Sequence, residues 1–160
     1  MMKKNKEKKI CFICSSGGHF SEMYCLKKIT SSFDSFLVTE KVDNFETDFC
    51  DKKYFIREIN RKENFFIFHF FIMCLKLLYI FIKENPNYIV TTGALCSYPM
   101  AKIAKFFKRK VIYIESYARV YSLSVTGTKM YQFADLFIVQ WEELAQKYPK
   151  SIFIGNLFGV

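Results

Sequence analysis

Lys9 to Glu22 reads KICFICSSGGHFSE: an apolar run gives way to serines and glycines, then to one histidine and a segment with helical character. This order predicts a buried strand, a tight turn and the start of a helix. Gly17 and Gly18 have no side chains, so backbone N–H groups there can approach an anion beside a partly positive helix N-terminus. His19 would lie at the rim, able to bind a phosphate or exchange a proton. An ordinary strand-to-helix turn is equally compatible with this stretch.

The composition predicts one domain with an anionic partner. The chain has 160 residues and a net charge of +9, from 24 Lys and Arg against 15 Asp and Glu. Such an excess attracts nucleic acid, acidic lipid or phosphorylated sugars. Many of the 19 Phe fall between Asn64 and Lys83, which favours a membrane surface over nucleic acid. We interpret 1–8 as a basic tail and 9–160 as the folded domain.

The six cysteines do not predict a metal site. Cys11 and Cys14 have CxxC spacing, but residues three apart in a strand face opposite sides, and no second pair follows. Reduced, mostly buried thiols in a cytosolic protein are the expectation. The apolar run that ends at Cys14 is too short for the core of a signal peptide.

Strands and helices alternate along the chain. The predicted strands lie near 10–14, 35–39, 53–59, 88–91, 110–115, 136–139 and 151–154. The predicted helices lie near 21–30 with Ser21 as cap, 64–83, 98–107, 120–133 with a break near Gly127, and 142–148. We interpret 42–52 as a loop or a short helix. Runs such as KVIYIE and NYIVTT are apolar on both faces, as in buried parallel strands. The predicted fold is α/β, Rossmann-like and doubly wound, with a mostly parallel sheet.

Three polar turns follow predicted strands. In doubly wound sheets, ligands bind at the carboxyl ends of the strands, where the strand order reverses. Those ends carry Ser15 to His19, Gly93 to Ser97, and Glu115 to Arg119. Together they predict a site at one edge of the sheet. The alternative for Glu115 and Arg119 is a local ion pair one helical turn apart.

The segment Asn64 to Lys83 contains an 18-residue run, FFIFHFFIMCLKLLYIFI, that is apolar except for His69 and Lys76. On a helix, Lys62, His69, Lys76 and Lys83 form one polar stripe in an otherwise apolar surface. A membrane-spanning helix is long enough but would separate the strands on either side of it. A wholly buried helix would have to hide Lys76 at a cost. We favour a helix lying in the membrane interface, with Phe66, Phe70 and Leu77 as membrane contacts.

Three motifs carry a family resemblance: SSGGH after the first strand, NPNYIVTTGALCSYP, and VIYIESYARVYSLSVTGTKMYQFADLFIVQWEEL. They resemble the membrane-associated subunit of the two-part N-acetylglucosaminyltransferase of dolichol-linked oligosaccharide assembly, and its bacterial relatives in capsule and exopolysaccharide synthesis. More distantly, the chain is similar to the N-terminal half of the peptidoglycan N-acetylglucosaminyltransferase, a GT-B enzyme. The resemblance covers residues 9 to 155.

The resemblance implies a subunit that binds a lipid-pyrophosphate-linked sugar acceptor at the cytoplasmic face of the membrane and recruits a catalytic partner. The UDP-sugar donor would bind the partner, and this chain would bind no cofactor or metal. His19 and Glu115 are the expected catalytic residues. The expected pyrophosphate-binding residues are Ser15, Ser16, Gly17, Gly18, Gly93, Ser97 and Arg119.

The first loop has fewer glycines than the peptidoglycan enzyme's GGTGGH, and of that enzyme's histidine-glutamate pair only Glu115 matches. Two other functions stay open. A nicotinamide-dependent oxidoreductase could use Glu40, at the end of the second strand, to bind a ribose, although His19 and Glu22 stand where its fingerprint needs glycines. The other is a membrane scaffold without catalytic residues.

Overall fold

The computed structural model describes residues 5–42, 46–60 and 62–159. Its strands are β1 (Asn5–Ile13), β2 (Phe33–Glu40), β3 (Lys52–Ile56), β4 (Tyr88–Thr91), β5 (Lys110–Ile114), β6 (Leu136–Val139) and β7 (Ile152–Phe153). Its helices are α1 (Gly18–Tyr24), α2 (Lys27–Thr30), α3 (Phe66–Glu84), α4 (Ser97–Phe106), α5 (Val125–Met130) and α6 (Glu142–Lys147). These strands form one parallel sheet in the order β3-β2-β1-β4-β5-β6-β7. The predicted doubly wound fold is confirmed, and the strand order reverses between β1 and β4.

Several element boundaries differ from the prediction. β1 begins at Asn5, so the predicted tail 1–8 overlaps the strand, while its residues 1–4 lie outside the described part. α1 begins at Gly18 after Gly17, whose φ of 75° suits glycine, so Ser21 lies inside the helix and is not its cap. The predicted 21–30 helix is split between α1 and α2. Residues 46–51 contain no helix, and 43–45 of the same predicted connection lie outside the described residues.

Two core layers cover the two faces of the sheet. The larger layer packs α3, α4 and α5 against one face, and the smaller packs α1 against the other. Cys11 lies in the first layer and Cys14 in the second, as their spacing in a strand predicts. Burial raises the pKa of Cys14 to about 12, so its thiol is a poor nucleophile.

The second face of the sheet is incompletely covered over β4, β5 and β6. An apolar cavity of about 310 Å³ remains there between α2 and the C-terminal segment. Its floor consists of Val90, Ile112, Ile114, Leu136 and Ile138. Parallel sheets are normally buried on both faces, so this surface is unusual for the fold.

Helix α3 has one buried and one exposed apolar face. Met73, Leu77, Ile80 and Phe81 are buried in the core. The exposed apolar residues are Ile67, Phe68, Phe71, Ile72, Leu75, Tyr79 and Ile82. The choice of Leu77 as a membrane contact is therefore wrong, since Leu77 is 0% exposed. Phe66 and Phe70 are half-buried and pack against the larger core layer, because they turn toward α4 and α5.

The flanking strands decide between the interpretations of α3. By length and composition this helix could cross a bilayer, and 22% of its most apolar window is buried. However, β3 and β4, which precede and follow it, belong to one sheet, and a spanning helix would put them on opposite sides of the membrane. The wholly buried alternative fails because Lys76 and Lys83 are exposed. The interpretation of α3 as a helix in the membrane interface stays a prediction, and it requires the exposed apolar face that α3 has.

The C-terminal end of α3 is fixed by Glu84. Its buried carboxylate accepts a hydrogen bond from Tyr54 and forms ion pairs with Lys9 at 3.3 Å and Lys52 at 2.6 Å. Burial opposes ionisation of Glu84, but these donors outweigh it and lower its pKa. Lys9 of β1, the start of β3 and the end of α3 are thus held together.

Candidate active site

The three predicted turns meet at the carboxyl edge of the sheet. The Thr92 hydroxyl donates to the backbone carbonyl of His19 at 2.7 Å, which joins the turn after β4 to the turn after β1. Ser116, in the loop after β5, donates to Glu22 on α1 at 2.8 Å. These contacts place the three turns around the point where the strand order reverses.

His19 lies against Gly93. Gly93 has a φ of 117°, and a Cβ there would lie 3.0 Å from His19 Cε1, so glycine is needed for both backbone conformation and space. His19 Nδ1 is buried and has no hydrogen-bond partner within the described ranges. A buried imidazole nitrogen without a partner is costly unless a ligand or water satisfies it. His19 Nδ1 therefore keeps an unused hydrogen-bonding capacity at the place where the turns after β1 and β4 meet.

The Gly17–Gly18 turn is open. Both glycines are exposed, and a Cβ added at either would meet nothing within 4 Å. The predicted anion site thus has room beside the first turn of α1. Ser15 and Ser16 are half-buried on the preceding side, and the backbone N–H of Ser16 donates to the Glu40 carboxylate.

Glu22 is a site residue that the sequence analysis did not identify. It is 4% exposed and accepts hydrogen bonds from Ser116 Oγ at 2.8 Å and Tyr117 N at 3.0 Å, both through Oε1. Its Oε2 is buried and has no partner in the described part of the chain. Burial raises the pKa of Glu22, while the two hydrogen bonds oppose that change. The available signal was the His-x-x-Glu spacing, which puts both residues on one side of α1.

Glu115 holds the loop that follows β5. Its carboxylate is 0% exposed and accepts from Ser116 N at 2.9 Å and Tyr113 OH at 3.3 Å through Oε1. Through Oε2 it accepts from Ser124 N at 3.0 Å and Ser124 Oγ at 3.2 Å. Both oxygens are occupied by the protein itself, so the geometry is that of a positioning residue and gives no support to the catalytic role predicted for Glu115.

The hydrogen bonds that Ser124 donates to Glu115 also explain where α5 begins. Ser124 caps α5 by accepting from Gly127 N at 2.9 Å, so the helix starts at Val125 and not near Val120, and Gly127 lies inside it. Arg119 lies on the loop before the cap and is exposed. None of the ion pairs found among the described residues joins Arg119 to Glu115, so the alternative of a local pair is not seen.

Two residues of the C-terminal motif secure the same loop. Gln140 Nε2 donates to the Glu115 carbonyl at 2.9 Å, and Trp141 Nε1 donates to the Tyr117 carbonyl at 2.6 Å. The ring of Tyr117 also packs on that of Trp141, with centroids 4.9 Å apart. The ESYARVYSLS and VQW motifs are therefore distant in sequence but form one structural unit.

Ser97 differs from its predicted role. It is fully buried, and its hydroxyl bonds to the Gly93 carbonyl and to Thr91 Oγ1 within its own turn. The side chain stabilises the turn after β4, and little hydrogen-bonding capacity is left for a phosphate. Gly93 contributes to this turn in two ways: it adopts a positive φ, and its lack of a side chain leaves space for His19.

Glu40 gives no support to the nicotinamide alternative. It is 8% exposed at the end of β2, and its carboxylate accepts from the backbone of Ser16, so it is poorly placed to bind a ribose. Burial, with a smaller effect from the neighbouring Glu58 charge, raises its pKa to about 7. No cluster of three His, Cys, Asp or Glu side chains that could hold a metal occurs in the ranges that the structure covers.

The sequence comparisons give one consistent result. A family model described as "Oligosaccharide biosynthesis protein Alg14 like" matches residues 10–157. The human "UDP-N-acetylglucosamine transferase subunit ALG14" is 27% identical over 180 residues, which cover 92% of this chain and 82% of the human protein. The subunit of the same name from Yarrowia lipolytica is 39% identical over 95 residues, covering 54% of this chain and 42% of that protein.

The structural comparisons support the fold. Acinetobacter baumannii MurG superposes with a TM-score of 0.65 at 11% identity, covering 82% of this chain and 41% of MurG. Staphylococcus aureus MnaA, solved with UDP, gives a TM-score of 0.73 at 17% identity, covering 94% of this chain and 44% of MnaA. The chain therefore spans less than half the length of these two structures, and the likeness is one of fold.

We predict that Gly127→Ala will destabilise the protein strongly. A Cβ at Gly127 would lie 1.9 Å from Glu115 Oε2, and the Glu115 carboxylate is held by four hydrogen bonds, two at each oxygen, so it cannot move away cheaply. We expect a loss of unfolding free energy of about 2–4 kcal/mol. Chemical denaturation measures it, and Gly18→Ala, whose Cβ meets open space, is the control. Equal stability of the two variants would contradict this description of the loop.

The raised pKa of Glu40 predicts a pH-dependent stability. Because the pKa is about 7 in the folded protein and 4.5 ordinarily, ionisation destabilises the fold progressively as pH rises from about 4.5 to 7. Glu40→Gln should match the wild type near pH 4 and be more stable above pH 7, by at most about 3 kcal/mol. Thermal unfolding across this range tests it, with exposed Glu46→Gln as control. A constant difference between wild type and Glu40→Gln at every pH would show that Glu40 does not titrate as described.

Proposed function

The chain belongs to the Alg14-like family of oligosaccharide biosynthesis proteins, and on this premise we propose that it is the acceptor-binding subunit of a two-part UDP-N-acetylglucosamine transferase. The observation that carries the proposal is the buried, unpartnered His19 Nδ1 beside the open Gly17–Gly18 turn, at the reversal point of the sheet. Ligands of doubly wound folds bind at this position.

The acceptor would be a lipid-pyrophosphate-linked sugar. Backbone N–H groups at the Gly17–Gly18 turn would bind the pyrophosphate, with Ser15, Ser16 and the exposed Arg119 nearby. In the reaction, the acceptor hydroxyl attacks the anomeric carbon of the donor sugar, the bond to UDP breaks, and UDP leaves with the bonding electrons. His19 takes the hydroxyl proton, and Glu22 stabilises the resulting imidazolium from the same side of α1.

The donor would bind a separate catalytic subunit, so this chain itself binds no cofactor. The matches to proteins named as subunits of a UDP-N-acetylglucosamine transferase support a donor site on a second subunit. The incompletely covered sheet face over β4, β5 and β6 provides an apolar surface for that subunit. Capsule or exopolysaccharide assembly would be the corresponding bacterial setting.

The membrane would contact the exposed face of α3 on the cytoplasmic side. Ile67 is 82% exposed and Phe68 61%, a degree of exposure that is unfavourable for such side chains in water and favourable in a lipid interface. Lys76 and Lys83 lie exposed on the same helix, where their ammonium groups can reach acidic head groups.

We expect His19→Ala to lower transfer from UDP-N-acetylglucosamine by about 10²–10⁴-fold when the chain is reconstituted with its catalytic partner. Loss of a proton acceptor lowers kcat with little change in KM for the acceptor, whereas loss of a phosphate contact raises KM. The matched control is His69→Ala, the other histidine of the chain, which bonds Glu63 beside α3. The isolated chain should show no turnover. Full activity of His19→Ala would favour a scaffold role instead.

The proposed membrane contact can be tested with a variant in which Phe68, Phe71 and Leu75 are all changed to Ser. Each side chain contributes about 1.5–3 kcal/mol when buried in lipid, so vesicle binding should weaken by at least about 100-fold while the thermal midpoint stays close to that of the wild type. Sedimentation with vesicles and thermal unfolding measure the two effects. Leu77→Ser is the contrasting variant: it should lose about 2–5 kcal/mol of stability. A triple variant that stays bound would place the membrane contact elsewhere.

A further inference from the structure

An apolar groove of about 400 Å³ lies between the N-terminal turns of α3, α4 and α5. Its walls include Phe66 and Phe70 from α3, Leu95 and Tyr98 from the start of α4, and Val125 from α5. Phe66 and Phe70 stack with ring centroids 5.8 Å apart, so one wall is a continuous aromatic surface. The site described above does not use this groove.

The groove connects the candidate active site with the membrane surface. Its inner wall is the turn after β4, where Gly93 contacts His19 and the following Leu95 and Tyr98 line the groove. At the other side, Phe66 also lines an open apolar depression formed by Phe65, Ile67, Phe68 and Phe71. Helices of a parallel α/β sheet begin at the carboxyl edge, so groove and anion turn lie at the same edge.

The rim of the groove is cationic. Lys129 lines the groove, with its Nζ 5.2 Å from the centre of the Tyr98 ring, and Lys102 lies beyond it, with its Nζ 5.8 Å from the same ring and 4.6 Å from that of Phe133. Neither lysine forms an ion pair with any residue in the described ranges. An apolar groove with unpaired ammonium groups at its rim complements an amphiphile that has a hydrocarbon chain and an anionic head.

We propose that this groove holds the part of the acceptor's hydrocarbon chain next to its pyrophosphate and guides that chain from the active site to the membrane. The inference rests on the proposed function and adds a chain-binding subsite to it. Burial of one methylene is worth about 0.8 kcal/mol, which corresponds to about a fourfold gain in affinity. Acceptors with longer chains should therefore bind more tightly until the groove is filled.

Binding to the isolated chain tests the groove directly. Ethyl, hexyl and decyl pyrophosphate are titrated calorimetrically below their micelle concentrations. We expect affinity to rise at least about 30-fold from ethyl to decyl for the wild type, since eight methylenes are added and only part of them need be buried. Val125→Glu should remove most of this gain, because Val125 is 58% exposed and the change puts a carboxylate in the groove without disturbing the core.

Two further variants separate groove binding from general effects. Phe70→Ser should also flatten the chain-length series, whereas Phe106→Ser, which removes an 82% exposed phenyl ring from the other end of α4, should leave it unchanged. A series that stays steep in both Val125→Glu and Phe70→Ser overturns the proposal. Equally strong competition by didecanoyl phosphatidic acid overturns it too, because the groove would then be a general site for anionic lipids.

Transfer by the reconstituted pair separates this inference from the proposed function. Ethyl- and decyl-pyrophosphate-linked N-acetylglucosamine serve as acceptors in detergent. Support requires a lower KM for the decyl acceptor that Val125→Glu abolishes. Transfer to both acceptors with the same KM would overturn the proposed chain-binding groove but would leave the proposed transferase function standing. If neither acceptor is used while the binding of alkyl pyrophosphates still depends on alkyl chain length, the proposed function is overturned and the groove stands as a site for alkyl pyrophosphates.

Discussion

The buried carboxylate of Glu115 is the constraint on which the candidate active site depends. It receives hydrogen bonds from both ends of the loop between β5 and α5, from Ser116 N and from Ser124, which lies nine residues after Glu115 in the chain. A carboxylate without solvent is tolerated only when donors satisfy it, and the loop N–H groups in turn need an acceptor. The loop conformation and the carboxylate therefore require each other, and Gly127 is needed because only hydrogen fits beside Oε2.

This arrangement divides the polar residues at the edge of the sheet into two groups. One group makes hydrogen bonds that stabilise the loops, and it consists of Glu115, Ser97, Gln140 and Trp141. His19 Nδ1 and Glu22 Oε2, by contrast, have no partners among the residues that the structure describes. Buried polar atoms are rarely left unsatisfied in folded proteins. The most distinctive sequence motifs thus build the frame, and the short GGH turn supplies the groups that remain available.

The sequence predicts the sheet well because its strands are short, doubly apolar runs whose pattern is local. It could not predict the start of α5, since the start depends on hydrogen bonds from Ser124 to Glu115, at the end of the preceding strand β5, and these form only on folding. It could not assign the faces of α3 either. The stripe of Lys62, His69, Lys76 and Lys83 marks one side of the helix, but the apolar remainder is uniform, so nothing local distinguishes Leu77 in the core from Leu75 at the surface.

The two faces of α3 also connect the proposed membrane contact with the position of the candidate active site. The helix runs antiparallel to the strands, so its aromatic N-terminal turns lie at the carboxyl edge, while Glu84 fixes its other end at the amino edge. In the proposed function, the exposed side chains of Phe65, Ile67, Phe68 and Phe71 would place the bilayer surface near the carboxyl edge, where Gly93 and His19 meet. On that proposal, a water-soluble sugar and a lipid chain would reach one site from opposite directions, because the turn after β4 has a polar side and an apolar side.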